Sequence, residues 1–344
     1  MKTETVAAVD DRRSSRPSLA QPAITRAVEL LEKGELVALP TETVYGLAAD
    51  ALNPIAVAKI FEAKDRPRFD PLIVHLPNRE WLTRVADVRG EGRQLIEKLT
   101  DGFWPGPLTI VLPKREIIPD IVTAGLDTVA VRISWHPVFA QIIGAFGRPL
   151  AAPSANRFGR VSPTMAQHVR DELDGRIPLI VDDGPTAHGI ESTIVAVRDG
   201  KIHVLRRGPV TTEQMSEFGK IDIVDGAGKV SAPGQLPTHY APKTPLRLIK
   251  DAGSFSLEEN QRVGLLAWNS VKLEKDFTVI RCLSERQDLR QAAANLFRYL
   301  RELDQSDLDF IVAERVPLHG LGAAIMDRLR RAAHRPIDAQ GRPE

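Results

Sequence analysis

Residues 59–76 read KIFEAKDRPRFDPLIVHL. The first part closes an apolar helical run that opens at Asn53-Pro54, with Asn as cap and Pro in the first turn. The last six residues, 71–76, form an apolar run of strand type. A helix that passes through a charged, proline-bearing loop into a buried strand is the building unit of an α/β domain. The same rhythm extends in both directions. Upstream, Ile24, Val28 and Leu31 share one helical face, Gly34 stops that helix, and 36–39 is a short strand ending at Pro40. Downstream, 108–112, 129–134, 149–152, 178–181 and 193–197 read as strands. Helices are expected at 136–146 and 163–173, the second opened by Ser162 as cap and Pro163 in the first turn. The expected fold class is therefore α/β, a large twisted mixed sheet with helices over residues 23–222.

Composition then changes. Gly226, Gly228, Pro233, Gly234, Pro237, Pro242 and Pro245 crowd one stretch, so residues 223–245 read as a linker. From 246 the rhythm restarts, with strands at 246–249, 263–268 and 310–313 and helices at 289–303 and 322–333. Residues 246–344 thus read as a second, smaller α/β domain. Residues 1–22 are polar and read as a flexible tail.

The chain has 344 residues, 43% hydrophobic and 26% charged, as soluble globular proteins do. Lys plus Arg number 46 and Asp plus Glu 45, so nothing in the net charge of +1 draws the chain to bulk nucleic acid or to anionic membrane. Cys282 is the single cysteine, which excludes an internal disulfide framework and a cysteine zinc site and suits a reducing cytoplasm. No apolar stretch is long enough to span a bilayer, and the N-terminus has no apolar signal core. The expected location is cytoplasmic.

Two short polar runs carry the chemistry. Lys64-Asp65-Arg66-Pro67 places two cations two residues apart ahead of a buried strand. Lys as a point charge and Arg as a fork both suit phosphate oxygens. Pro153-Ser154-Ala155-Asn156 follows a strand end and can offer hydrogen bonds to phosphate or carboxylate oxygens. The run PTETVYGLAADA (40–51) puts hydroxyls directly after a strand, at the sheet edge where α/β proteins bind ligands. His75 ends an apolar strand and is as readily a core residue as a functional one. Arg132 lies inside VAVRIS, where a charge needs a partner; a substrate carboxylate or an internal acid such as Glu42 or Asp182 would serve. Glu191-Ser192-Thr193 and Arg206-Arg207-Gly208 flank the last strands of the domain. There is no Walker loop, no HExxH and no GxSxG elbow.

In series, PTETVYGLAADA, KIFEAKDRPRFDPLIVHL, FWPGPLTIVL, VAVRIS, AAPSANRFGRVSPT, GIESTIVAV and LRRGPV resemble the YrdC/Sua5 family, the threonylcarbamoyl-AMP synthases. The resemblance is dense from about Ile24 to Val210. It continues in APGQLPTHYAP and GLGAAIMDRLRRAA, which are similar to the long, two-domain Sua5 form with a Rossmann-like C-terminal domain. It implies a reaction of L-threonine, bicarbonate or CO2, and ATP that yields threonylcarbamoyl-AMP and pyrophosphate. The product would feed t6A modification of tRNA through a downstream threonylcarbamoyl transferase. Mg2+ is implied beside ATP; no protein metal ligand is. The KxR and SxN elements fall on Lys64, Arg66, Ser154 and Asn156 as the functional core. By similarity, Thr43, His75, Arg132 and Ser192 lie around threonine. Arg66, Asp70, Thr128, Asn156, Ser162, Arg206, His239 and Tyr240 lie around ATP. Position 70 is Asp where many relatives have Asn, a departure that weighs against a direct phosphate contact there. The linker would act as a lid over 233–242, of which only His239 and Tyr240 carry over. Replacing Lys64 or Arg66 is expected to remove activity without unfolding the chain. The alternative is an RNA-binding module in tRNA or ribosome maturation, against which the near-neutral charge speaks.

Overall fold

The computed structural model describes residues 2–8, 21–90, 92–224, 240–269 and 277–334. Among them the chain divides into two compact units. The first takes the described residues up to Phe158, Pro163–Ala187 and 191–224. The second takes Gly159–Ser162, His188–Ile190 and the described residues from Tyr240 on.

The first unit is built on strands β1 (Glu4–Ala7), β2 (Val37–Leu39), β3 (Gly46–Asp50), β4 (Ile73–His75), β5 (Leu108–Pro113) and β6 (Thr128–Arg132). These are followed by β7 (Leu150–Ala151), β8 (Leu179–Asp182), β9 (Thr193–Arg198), β10 (Lys201–Arg206) and β11 (Ile221–Ile223). They form one 11-stranded mixed sheet in the order β1-β8-β2-β3-β7-β4-β6-β5-β9-β10-β11. Side chains alternate across the sheet, and helices cover both faces. Val37, Leu39 and Ala48 join the cluster that includes Ile24, Leu31, Phe139 and Ile143. Their neighbours Ala38, Leu47 and Ala49 join the cluster with Val57, Ile60 and Phe61. Burial on both faces is why these strands are apolar throughout rather than alternating.

Three expectations change. Residues 4–7 are not tail: Glu4–Ala7 pairs in parallel with Leu179–Asp182, and the first helix already begins at Gln21. The polar stretch after Pro40 hides a fully buried strand, Gly46–Asp50, whose small apolar residues fit between two neighbours. The helix expected from 163 begins instead at Ala166, with no side-chain cap. Pro163 and Thr164 are drawn away by tertiary donors, Tyr45 N to Pro163 O at 2.9 Å and Thr186 N to Thr164 O at 3.0 Å. Ser162 is therefore not a helix cap.

The second unit carries β12 (Leu246–Ile249), β13 (Val263–Ala267), β14 (Val279–Cys282) and β15 (Phe310–Glu314). All pair in parallel, in the order β12-β15-β13-β14. Helices Leu289–Asp304 and Leu321–Ala333 accompany them. Among the described residues no helix is long and apolar enough to cross a membrane.

Candidate active site

Lys64 joins the two runs that stand ninety residues apart in sequence. The helix Pro54–Lys64 starts on Asn53, whose side chain accepts from Ile55 N and Ala56 N, and ends with Asp65 in the left-handed region at φ 51°. That ending leaves Lys64 inside the protein, 1% exposed. Its ammonium donates to the carbonyl of Ser154 at 2.6 Å and to that of Asn156. Phe158 N donates back to the Lys64 carbonyl at 2.9 Å. Burial, with the Arg66 cation beside it, holds the Lys64 ammonium well below the ordinary lysine range. The Ser-Ala-Asn segment is also strung along the 45–47 backbone. Leu47 N donates to Pro153 O and Ala155 N to Tyr45 O, both at 2.8 Å.

Arg66 takes a different direction from Lys64. Its Nη2 lies 2.8 Å from Asp70 Oδ2 and donates to Pro71 O at 2.9 Å, while Nε donates to Asp70 O at 3.3 Å. Asp70 is fully buried. Burial pushes its carboxyl up, against the fields of Arg66, Lys64 and Arg206. Arg66 thus meets a carboxyl of its own chain where the sequence reading expected phosphate. Thr128 opens β6 and is half-buried. Four residues from Arg132, it lies about 13 Å away along the strand.

A second polar group is buried around Arg132. β4 and β6 are parallel and in register at His75 and Arg132. The Arg132 guanidinium donates to Thr43 Oγ1 at 3.0 Å and to Gly106 O at 3.2 Å, and its Nη2 meets Glu42 Oε1 at 2.5 Å. Of the two internal acids that could have partnered Arg132, the structure selects Glu42. Asp182 instead accepts from Gly184 N at 2.8 Å. Burial raises the Glu42 carboxyl, but Arg132 and a hydrogen bond from Ser134 outweigh it and hold it below its ordinary range. Ser134 was not foreseen: it lies two residues beyond the end of β6, so strand alternation does not place it and the sequence gives no signal for it. Thr109 was missed likewise; its hydroxyl lies 2.8 Å from Ser192 Oγ. Arg206 donates to Ser192 through Nη2, to O at 3.0 Å and Oγ at 3.1 Å. Gly208 is required beside them. A methyl group there would fall 2.4–2.6 Å from the main chain of Glu191, Ser192 and Thr193.

His75 is 3% exposed, with its ring tilted against Phe139 at 4.7 Å. Burial and the nearby Arg132 hold its imidazole well below 6.5, so it is neutral at neutral pH. The unfolded chain then binds the extra proton first, and stability falls as pH drops below about 6.5. In His75→Gln this part of the acid slope should vanish. Melting curves between pH 7 and pH 5 check it, and equal slopes in both proteins would refute it.

The remaining sites fall in the second unit or outside the described residues. Ser162 is fully buried in the second unit. Tyr240 has φ 64° and stacks on Phe297 at 5.4 Å. His239 and the expected lid up to that residue lie outside the described residues.

Comparison with known proteins agrees with this chain's motifs. A Sua5/YciO/YrdC family model, described as telomere recombination, matches residues 29–208, and a threonylcarbamoyl-AMP synthase C-terminal domain matches 210–334. The chain is 42% identical to the threonylcarbamoyl-AMP synthase of Bacillus subtilis over 92% of its own length and 94% of that relative. It is 39% identical to that of Pyrococcus abyssi over 92% and 96%. Among solved structures, P. abyssi Sua5 complexed with L-threonine matches with TM-score 0.86 and 37% identity, covering 96% of this chain and 98% of that one. A P. abyssi Sua5 variant with an adjacent His and Tyr both replaced by Ala matches with TM-score 0.84 and 35% identity, covering 96% of each. The chain belongs to the Sua5/YciO/YrdC family, in the two-domain form of the threonylcarbamoyl-AMP synthases.

Proposed function

We propose that this chain joins L-threonine, bicarbonate or CO2, and ATP into threonylcarbamoyl-AMP and pyrophosphate, for t6A modification of tRNA. The observation that carries the reading is the Lys64 ammonium on the carbonyls of Ser154 and Asn156. It draws the KxR and SxN runs into one place, beside Arg66 and Asp70. The neutral threonine amine adds to CO2 and gives up one N–H proton to solvent, leaving a carbamate. A carbamate oxygen then attacks the α-phosphate, and the bond to the β-phosphate breaks as pyrophosphate leaves. No covalent enzyme intermediate forms, so the chain's work is to position two anions and stabilise the charge that builds on phosphate.

In this reading Thr43, His75, Arg132 and Ser192 take threonine. The polar group around Arg132 supports that role: a cation and hydroxyls for a carboxylate, and a neutral imidazole for a hydroxyl or amine. That P. abyssi Sua5 was crystallised with L-threonine supports it further. Arg66, Asp70, Thr128, Asn156, Ser162, Arg206, His239 and Tyr240 take ATP. This chain has one His-Tyr pair, at 239–240, of the kind replaced in the P. abyssi variant. Asp70 must release Arg66, or share it, when phosphate arrives. Among the described residues no three His, Cys, Asp or Glu side chains could hold a metal ion. Mg2+ beside the ATP phosphates belongs to this proposal as a counter-charge to the polyphosphate. A cytoplasmic setting and a downstream tRNA threonylcarbamoyl transferase complete the proposal.

The test is pyrophosphate release by the pure protein. Release should require threonine, bicarbonate and ATP together and proceed without RNA. ATP turnover indifferent to threonine would end the reading.

A further inference from the structure

The second unit contains two short segments, Gly159–Ser162 and His188–Ile190, that lie within the first unit's stretch of sequence. Both are held by the helix Leu289–Asp304, along one stripe of that helix. Ala293, Phe297 and Arg301 are spaced by four and so share a face; all three are buried. Gly189, at φ 69°, seats on the first position. A methyl group there would fall 2.5 Å from Ala293 O and 2.5 Å from Ala294 Cα. Tyr240 stacks on Phe297, the second position, with centroids 5.4 Å apart. The Arg328 guanidinium lies 5.3 Å from the same tyrosine ring. Arg301, the third position, donates through Nη2 to the carbonyl of Val161. The 159–162 segment is also tied to the residue after Tyr240, with Ala241 N donating to Gly159 O at 3.0 Å.

Each seat adjoins a residue of the proposed chemistry. Val161 precedes Ser162, Tyr240 is itself one of the ATP residues, and Gly189 stands three residues before Ser192. A buried guanidinium is costly to place, and a main-chain carbonyl is a demanding partner because it fixes backbone rather than a rotatable side chain. We propose that the helix Leu289–Asp304 is a seating strip that positions the 159–162 loop for nucleotide use, with Arg301 as its positioning residue. The inference rests on the ATP-dependent activity proposed above and gives the C-terminal unit a part in it.

The test uses the full chain with Arg301→Met, which keeps the apolar stem and removes the donor, and with Arg301→Lys, which keeps one charged donor. Two readouts are taken. The first is hydrogen exchange of the 159–162 amides without substrates, expected to quicken in Arg301→Met. The second is steady-state pyrophosphate release. KM for ATP should rise about tenfold in Arg301→Met, with KM for threonine and kcat moving less than about threefold, and Arg301→Lys should lie between. If Arg301→Met does not fold, Arg301→Lys decides on the same readouts. Unchanged exchange at 159–162, or quickened exchange with an unaltered KM for ATP, overturns the proposal. So does an equal rise in both KM values, the mark of general loosening. Wild-type protein that releases no threonine-dependent pyrophosphate overturns the underlying activity instead. Calorimetric ATP binding by wild type and Arg301→Met then decides the strip by the same tenfold criterion.

Discussion

Arg132→Ala is expected to lower the melting temperature by roughly ten degrees and to raise the threonine requirement at least about tenfold. The stability loss comes from Glu42. Its carboxylate is fully buried and meets Arg132 Nη2 at 2.5 Å. Removing the arginine leaves that charge without its counter-ion, a change that typically costs about 3–5 kcal/mol. The functional loss is a separate effect, because the proposed carboxylate site goes with the guanidinium. The two are separated by pairing Arg132→Met with Glu42→Gln. With both charges removed, stability should return toward wild type while threonine use stays impaired. If the double variant regains threonine use along with stability, Arg132 acts only as a structural partner of Glu42. A rise in KM for ATP equal to that for threonine would also count against the assignment.

Lys64→Ala should lower pyrophosphate release by about two orders of magnitude and also destabilise the chain. The second half departs from the sequence-based expectation that the fold would be unaffected. Lys64 is 1% exposed and serves the carbonyls of Ser154 and Asn156. Without it, the buried Asn156 carbonyl loses its donor, at about 1–3 kcal/mol, and the part-buried Ser154 carbonyl loses its own at a smaller cost because water can reach it. The Ser154–Asn156 segment should then loosen, and ATP should bind more weakly even at temperatures where the protein is folded. Lys64→Met fills the volume without donating, so it should recover some stability and no activity. A Lys64→Ala protein that melts as wild type does, yet is inactive, would show that the two carbonyls do not depend on the ammonium. Near-normal turnover would sink the whole arrangement.

Much of the site was legible in the sequence because its signals are local. Asn53-Pro54 begins a helix by capping chemistry that needs no distant partner, and the structure starts the helix there. Apolar runs such as 108–112 and 193–197 declare strands through composition alone, since burial on both faces demands it. An arginine within VAVRIS announces a buried charge wherever the strand is placed.

What the sequence determined by itself, then, were the α/β elements, the restart of their rhythm after 246, and the residue types that handle phosphate and carboxylate. Family resemblance added the roles. Tertiary structure alone decided the partners. Which acid neutralises Arg132 depends on strand order, and only the folded sheet sets Glu42 rather than Asp182 beside it. Pro163 has helix-opening grammar, yet a hydrogen bond from Tyr45 holds it outside the helix. Lys64 and Arg66 look alike in sequence, but a left-handed Asp65 sends one to the Ser154–Asn156 backbone and the other to Asp70. Periodicity reports how much of a segment is buried and on which face. It carries no information on which distant segment lies opposite, and buried charges answer to that neighbour.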